Sequence, residues 1–165
     1  MASVRPAAVA GTFYPGDSRS LAAELDDLLG GVEQLAPRLG FPKALIVPHA
    51  GYIYSGPVAA RAYDELAAAR GIVRRVVMLG PVHRVPVRGL ALPGTDAFAT
   101  PLGTVPIDRD ALRAVQDLPQ VVKSDPAHAL EHSLEVQLPF LQKVLGEFAI
   151  VPFANSPRKI GRAHV

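Results

Sequence analysis

Leucine residues recur at the spacing of an amphipathic helix soon after the N-terminus. Four of them share one face at about 3.6 residues per turn: Leu21, Leu25, Leu28 and Leu29. Asp17 precedes this pattern and is a residue type that caps helix N-termini, while Gly30 and Gly31 follow it and favour a helix end. The pattern therefore predicts a first helix between Asp17 and Gly30.

Short apolar runs bounded by turn-forming residues predict three buried strands, at residues 44–47, 76–79 and 148–153. A further strand is expected within residues 86–92, and the turn-rich stretch 98–105 is typical of a β-hairpin.

Three more helical segments are predicted between the strands. The first opens at residues 55–57, because Pro57 suits the first helical position. Its predicted apolar face comprises Val58, Ala62 and Leu66. The second is capped by Asp108, and the third begins at Ser124, with Pro139 expected to kink or split it. Because strands that alternate with helices favour right-handed crossovers, we expect an α/β fold with a mostly parallel sheet flanked by helices.

The composition is that of one globular domain. The chain has 165 residues, of which 49 % are hydrophobic and 19 % are charged, so it can form a packed core and is too apolar for a disordered segment. No apolar run approaches the roughly 18 residues of a membrane span. No secretory signal is visible near Arg5, so a cytoplasmic location is the default expectation. Cysteine is absent, which excludes a disulfide framework and a thiolate metal site within these residues.

The net charge of +2 comes from the end of the chain. Arg158, Lys159 and Arg162 contribute three positive charges, and removing them leaves −1, so no basic surface suggests nucleic-acid binding. Residues 160–165 read like a translated sequencing adapter, although a frayed polar terminus is the alternative. We therefore expect residues 1–154 to be part of a single domain truncated at its C-terminus, and residues 155–165 to be a non-native tail.

Two histidines directly follow two of the predicted strands. His49 lies in the segment PHAGY at residues 48–52, and His83 lies in GPVH at residues 80–83. Because the carboxyl ends of parallel strands meet at one edge of a sheet, both side chains can point into one crevice. Imidazole is the commonest protein ligand for borderline metals. The pair therefore predicts two metal ligands, in preference to two residues that cap turns.

The segment HALEH at residues 128–132 allows three interpretations. His128 and His132 with Glu131 between them match the H-x-x-E-H zinc pattern, which predicts a zinc hydrolase. Alternatively, His132 and Glu135 share a helix face, as a metal ligand and its supporting group would. The third interpretation is an ordinary solvated first turn, where the helix dipole favours glutamate.

The segment GYIYSG at residues 51–56 places two tyrosines beside His49. It lacks the Gly-Lys-Ser/Thr ending of a phosphate-binding loop, so its glycines are better explained by a tight turn over the His49 site. Tyr52 and Tyr54 either line the pocket or pack against it, and we expect one of the two to pack.

Taken together, these motifs resemble the Memo family, whose bacterial and archaeal members are called AmmeMemoRadiSam system protein B. Five segments between residues 5 and 153 carry the resemblance, in the order of the family: GTFYP at 11–15, PHAGYIYSG at 48–56, LGPVH at 79–83, TPLG at 100–103 and EHSLEVQLPFL at 131–141. Each segment alone is a weak signal, but the set is specific.

The resemblance implies a fold related to the class III extradiol dioxygenases and a non-haem Fe(II) site in which His49 and His83 are two ligands. His132 is then the candidate for proton transfer. Four further residues are expected beside the metal ligands or around the pocket: Tyr52, Tyr54, Glu131 and Glu135. Family members continue past this C-terminus and supply a cysteine ligand there, so we expect the site of these 165 residues alone to be incomplete. Uncovered strands are also expected to promote self-association.

Three functions are compatible with these residues and the resemblance. The first is a non-haem iron protein with a dioxygenase-like site. The alternative is a non-catalytic binding module that uses the same cleft, because kinship to an enzyme does not establish chemistry. A zinc hydrolase ranks third. The name of the system implies an AMMECR1-like protein and a radical SAM enzyme as partners.

Overall fold

The structure, a computed structural model, describes residues 2–33 and 40–156. Most of the expected tail therefore lies outside the described residues. The helices are α1 (Ser18–Gly30), α2 (Tyr52–Asp64), α3 (Arg109–Val115), α4 (Asp125–Ala129) and α5 (Leu138–Leu145). The strands are β1 (Val4–Arg5), β2 (Arg75–Pro81), β3 (Leu90–Leu92), β4 (Ala97–Thr100), β5 (Gly103–Pro106), β6 (Val121–Lys123) and β7 (Ala149–Asn155). Short 3₁₀ turns occur at Ala67–Ala69 and Glu135–Gln137.

The strands form two mixed sheets. The larger has the order β2-β7-β3-β6, in which β2 pairs parallel with β7 and β3 pairs parallel with β6, but β3 and β7 are antiparallel. The smaller has the order β1-β4-β5 and contains the β4–β5 hairpin. The α/β class is confirmed, whereas the expected mostly parallel sheet is mixed. A parallel return needs a long crossover, and the short connection 82–89 between β2 and β3 has no helix.

Several elements confirm the predictions because their signals are local. The Asp17 side chain accepts a hydrogen bond of 2.9 Å from the Ser20 amide and caps α1. Asp108 caps α3 in the same way, through the Ala111 amide at 2.8 Å. Strands β2 and β7 and the hairpin also form where the sequence predicts them. Strand β7 extends through Asn155, one residue beyond the expected end of the domain.

The strand predicted at residues 44–47 does not form. Leu45 and Val47 are half-buried and Ile46 is fully exposed, which is the alternation of a half-buried strand. The segment nevertheless pairs with none of the described strands, and β2 has β7 as its neighbour in the sheet. The strand predicted within residues 86–92 is also shorter than expected and comprises Leu90–Leu92.

Helix α2 begins earlier than predicted and buries a different face. Gly51 precedes its first turn, and its carbonyl accepts the amides of Tyr54 and Ser55. Pro57 consequently lies inside the helix, and Val58 is 64 % exposed. The buried face comprises Tyr52, Ser55, Gly56, Ala59, Ala60 and Tyr63.

The helix predicted from Ser124 is two helices, and Pro139 does not divide them. Helix α4 ends at Ala129, and Pro139 lies in the first turn of α5, where a missing amide hydrogen has no cost. The break falls at residues 130–134, where the Glu131 side chain accepts hydrogen bonds from the backbone amides of His132 and Ser133.

Helices α1, α2 and α5 pack together, and α5 is the most buried of them. The rings of Tyr63 and Phe140 stack with their centroids 5.1 Å apart, and Tyr52 contacts Phe140 from another side. In the described ranges, the helices are all too short or too polar to cross a lipid bilayer.

Candidate metal site

Three histidines from three separate segments meet near the end of β2. Each of His49, His83 and His132 offers one ring nitrogen, and these nitrogens lie within 4.8 Å of one another. The ring centroids are 5.3 Å apart for His49 and His83, and 4.4 Å apart for His83 and His132. The structure therefore brings His49 and His83 together as the sequence predicts, and it adds His132 as a third donor.

The cluster is open to solvent on one side. The His83 side chain is 40 % exposed, whereas the His132 side chain is 17 % exposed. Phe13 covers His132, with their ring centroids 4.6 Å apart. A ligand can therefore approach from the His83 side, while the opposite side is closed by an aromatic ring.

The surroundings favour neutral imidazoles. Burial lowers the pKa of His49, and the neighbouring His83 lowers it further. Burial also lowers the pKa of His132. Glu131 raises this pKa, and His83 and His49 offset part of that increase. Since a metal binds the deprotonated ring nitrogen, these shifts favour the form of the side chain that coordinates metal.

Glu131 connects two of the three histidines. Its Oε2 accepts the His83 backbone amide at 2.6 Å, and its Oε1 lies 2.9 Å from Nδ1 of the same side chain. Oε1 also accepts the backbone amides of His132 and Ser133, each at 2.9 Å. Burial alone would raise the pKa of Glu131, but the hydrogen bonds from Ser133 and His83 lower it to about 2. The residue is therefore an ionised carboxylate that joins the two histidine loops.

Two further polar residues tie the same segment to the strand ends, and the sequence analysis assigns a role to neither of them, although both lie in the motif at residues 131–141. The Ser133 hydroxyl donates to the Pro81 carbonyl at 2.8 Å, beside His83. The Gln137 amide donates to the Pro48 carbonyl at 3.0 Å, beside His49. The available signal is the recurrence of polar residues at every second position, at 131, 133, 135 and 137, and all four side chains are buried.

Glu135 does not face the cluster, although one interpretation of the sequence places it on the same helix face as His132. It is fully buried, and its oxygens accept bonds from Arg5, the Tyr14 hydroxyl and the backbone amides of Ala8 and Val9. The shared face fails because residues 131–134 are not helical. Glu135 instead fixes the N-terminal loop that carries Phe13.

Of the two tyrosines, Tyr52 packs and Tyr54 does not. Tyr52 is 3 % exposed, and its hydroxyl donates to the Val136 carbonyl at 2.7 Å. Tyr54 is 83 % exposed on the outer side of α2. Tyr52 therefore supports the segment that carries His132, and Tyr54 is available on the surface.

The H-x-x-E-H interpretation is wrong for this fold. His128 lies at the end of α4, is 3 % exposed, and has its Nε2 2.8 Å from the Ala91 carbonyl. Glu131 and His132 lie beyond the end of that helix, so the two histidines do not share a helical face. His128 is a buried packing residue beside Phe98. It therefore does not form the zinc site with Glu131 and His132 that the zinc-hydrolase hypothesis requires.

Fold and site together define an α/β protein with a three-histidine cluster at the end of an edge strand. A model of the Memo-like protein family matches residues 5–161. The chain therefore belongs to the Memo-like family.

Relatives with that family name agree over most of the chain. It is 44 % identical over 158 residues to a MEMO1 family protein of Ignicoccus hospitalis, and 45 % identical over 151 residues to one of Aquifex aeolicus; each alignment covers 90 % of this chain. A third relative, from Pyrobaculum arsenaticum, is 39 % identical over 173 residues and 97 % of this chain. The alignments cover 55 %, 54 % and 61 % of these relatives, so the chain spans little more than half of their length.

Proposed function

We propose that this chain binds one divalent transition-metal ion through His49, His83 and His132. The observation that carries the proposal is the convergence of three ring nitrogens, within 4.8 Å of one another, from three separate segments. Metal-ligating histidines commonly donate their second ring N–H to a carboxylate, and Nδ1 of His83 lies 2.9 Å from Oε1 of Glu131. The three histidines and the Glu131 carboxylate beside His83 therefore fit a resident metal ion.

The identity of the metal is a finer proposal, and we infer Fe(II). Imidazole suits Fe, Zn, Cu and Ni, so the donors alone leave this choice open. The resemblance to the Memo family, which implies a fold related to the class III extradiol dioxygenases, favours iron. When bound, the ion would supply Lewis-acid and oxygen chemistry at coordination positions that the protein leaves open. Glu131 is not a fourth ligand in this proposal, because both of its oxygens are engaged in hydrogen bonds.

The protein residues around these ligands hold them and limit water. Phe13 shields the His132 ring, and the His83 side remains open for a substrate. His132 was the candidate for proton transfer, whereas the geometry supports it as a ligand. The two roles are separable, because loss of a ligand weakens metal binding and loss of a proton carrier does not.

The test is anaerobic titration of the metal-free chain with Fe(II), and separately with Co(II). The expected result is one ion per chain, with binding lost or much weakened in each of H49A, H83A and H132A. His128→Asn is the matched control, because that histidine lies outside the cluster, and should bind one ion. No binding by a folded wild-type chain, or equal binding by the three variants, would overturn the proposal. Full binding by H132A alone would return His132 to the proton-transfer role.

The second candidate is a binding module, and the surface that supports it is the outer face of α2 rather than the cleft expected from the sequence. Ile53, Tyr54 and Val58 are 85 %, 83 % and 64 % exposed on the helix that begins directly after the His49 loop. Exposed apolar groups of this kind are typical of contact surfaces. The partners proposed from the family resemblance are an AMMECR1-like protein and a radical SAM enzyme.

Co-purification of this chain with each proposed partner tests the binding module. Substitution of Ile53 and Val58 by serine should weaken the complex, and the three histidine substitutions should leave it intact. The opposite pattern would favour a role of the partner at the metal site itself.

A further inference from the structure

We propose that Glu131 is a positioning residue that holds the proton of His83 on Nδ1 and so presents its Nε2 to the cluster. The purpose of this arrangement rests on the proposed metal site. Its evidence does not, because it consists of hydrogen bonds between residues of the protein itself.

The first step is the protonation of the ring. An ionised carboxylate only accepts hydrogen bonds, so a ring nitrogen 2.9 Å from it must carry the hydrogen. The Glu131 side chain is 3 % exposed and accepts three backbone amides besides this contact, which keeps it ionised and fixed in place. His83 is thereby left with Nε2 as the nitrogen that carries a free lone pair.

The second step is orientation. The same carboxylate holds the His83 side chain and the His83 backbone amide, so it fixes the ring relative to its own main chain. Its bonds to His132 and Ser133 fix the opposite loop. One side chain therefore sets the distance between two donors of the cluster, before any metal binds.

The third step is the effect on metal affinity. A carboxylate on the second nitrogen makes the ligating nitrogen more basic, and loss of such a partner typically weakens metal binding by about 10- to 100-fold. Glu135 cannot substitute, since its carboxylate is bound to the N-terminal segment.

The direct test is long-range ¹H–¹⁵N NMR of the histidine rings in the metal-free wild-type chain. It is recorded at about pH 8.5, well above the ordinary imidazole pKa. We expect His83 to be protonated on Nδ1. His128 is an internal reference of the opposite kind, because its Nε2 faces the Ala91 carbonyl and must carry the hydrogen. A His83 ring protonated mainly on Nε2 would overturn the inference without any variant.

A second measurement uses E131A, with E147A as the matched control because the Glu147 side chain is 97 % exposed. In E131A the His83 proton should redistribute between the two nitrogens, and the dissociation constant for Co(II) should rise by about 10- to 100-fold. E147A should match the wild type in both readouts. Equal Co(II) affinity of E131A and wild type would overturn the positioning role and leave the metal site intact. If the wild type binds no Co(II) but His83 is protonated on Nδ1, the metal proposal fails and this inference stands.

Discussion

Arg5 places a buried positive charge between the N-terminal strand and the segment that carries His132. Its guanidinium donates to the Glu135 carboxylate at 2.6 Å and to the backbone carbonyls of His128 and Glu131 at 2.6 and 2.7 Å. It also lies over the Phe98 ring, 4.8 Å from its centroid. The side chains of Arg5 and Glu135 are only 4 % and 0 % exposed, so neither charge has water as an alternative partner.

We therefore expect Arg5→Met to lower the free energy of unfolding by about 3–5 kcal/mol, because it leaves Glu135 buried without its counter-charge. Urea unfolding followed by circular dichroism measures this change. The control is Arg74→Met, whose ion pair with Glu147 is 3.8 Å long and exposed, and it should have little effect. A loss in Arg5→Met no larger than in the control would show that the buried pair does not stabilise the fold.

His128 should make stability depend on pH. Burial lowers its pKa in the folded chain, whereas the unfolded chain has the ordinary value of about 6.5. Between the two values the unfolded state binds more protons, so stability rises with pH. The contribution is fully present above about pH 6.5 and is lost as the pH falls toward the folded value.

The measurement is the free energy of unfolding between pH 7.5 and 5.5 in the presence of a chelator. The wild type should lose more stability on acidification than His128→Asn, whose amide can still donate to the Ala91 carbonyl but does not titrate. The difference in slope is at most about 1.4 kcal/mol per pH unit for one proton. Parallel curves for the two proteins would contradict the assignment.

At the scale of elements, residues 131–137 organise the site. Glu131, Ser133 and Gln137 bond to the loops that carry His83 and His49. The segment also packs closely on β2: a methyl group at Gly80 would lie 2.7 Å from Leu134 Cδ2 and 2.8 Å from Ser133 Oγ.

Gly80→Ala should therefore push this segment away from β2. We expect a loss of stability of about 1–3 kcal/mol and weaker metal binding, measured by thermal unfolding and Co(II) titration. Gly30→Ala is the control, since its added methyl group meets nothing within 4 Å and it replaces glycine at the end of α1. Wild-type metal affinity in Gly80→Ala would show that the contact with β2 does not position the histidines.

The elements that the sequence predicts correctly are those with local signals. Asp17 and Asp108 cap helices within three residues of themselves, and the β4–β5 hairpin closes on itself. Residues 44–47 have the right pattern for a strand but lack a paired neighbour among the described strands, which no local pattern reveals.

The site, like the fold, is predictable from the sequence only in part. His49 and His83 meet as predicted, although only His83 follows a strand, since residues 44–47 before His49 form none. His132 was ambiguous, because its orientation depends on where the backbone leaves the helix at Glu131. The backbone leaves the helix there because of hydrogen bonds to residues distant in the chain. One example is the bond from the His83 amide to Glu131, which joins residues 48 positions apart.

At the scale of the whole molecule, one side of strand β2 is apolar and exposed, whereas its neighbour β7 is buried. Val77 and Leu79 are 56 % and 65 % exposed and lie on the same face of β2, which is at the edge of its sheet. Such a surface promotes association. We expect the 165-residue chain to self-associate with increasing concentration, and V77T/L79T to reduce this.

Sedimentation velocity over a concentration series measures the association. The control is I72T/L118T, which removes two apolar side chains, 66 % and 43 % exposed, outside the strands. Monomeric wild-type protein at all concentrations would contradict the expectation, as would equal association of V77T/L79T and wild type.

The proposed metal site of His49, His83 and His132 is tested most directly by an anomalous difference map from crystals of the Co(II)-loaded chain. We expect one strong peak at about 2.0–2.2 Å from a ring nitrogen of each histidine, with Nε2 as the ligating atom of His83. A peak at His128, or a map with three well-ordered histidines and no peak between them, would contradict a single ion held by these three side chains.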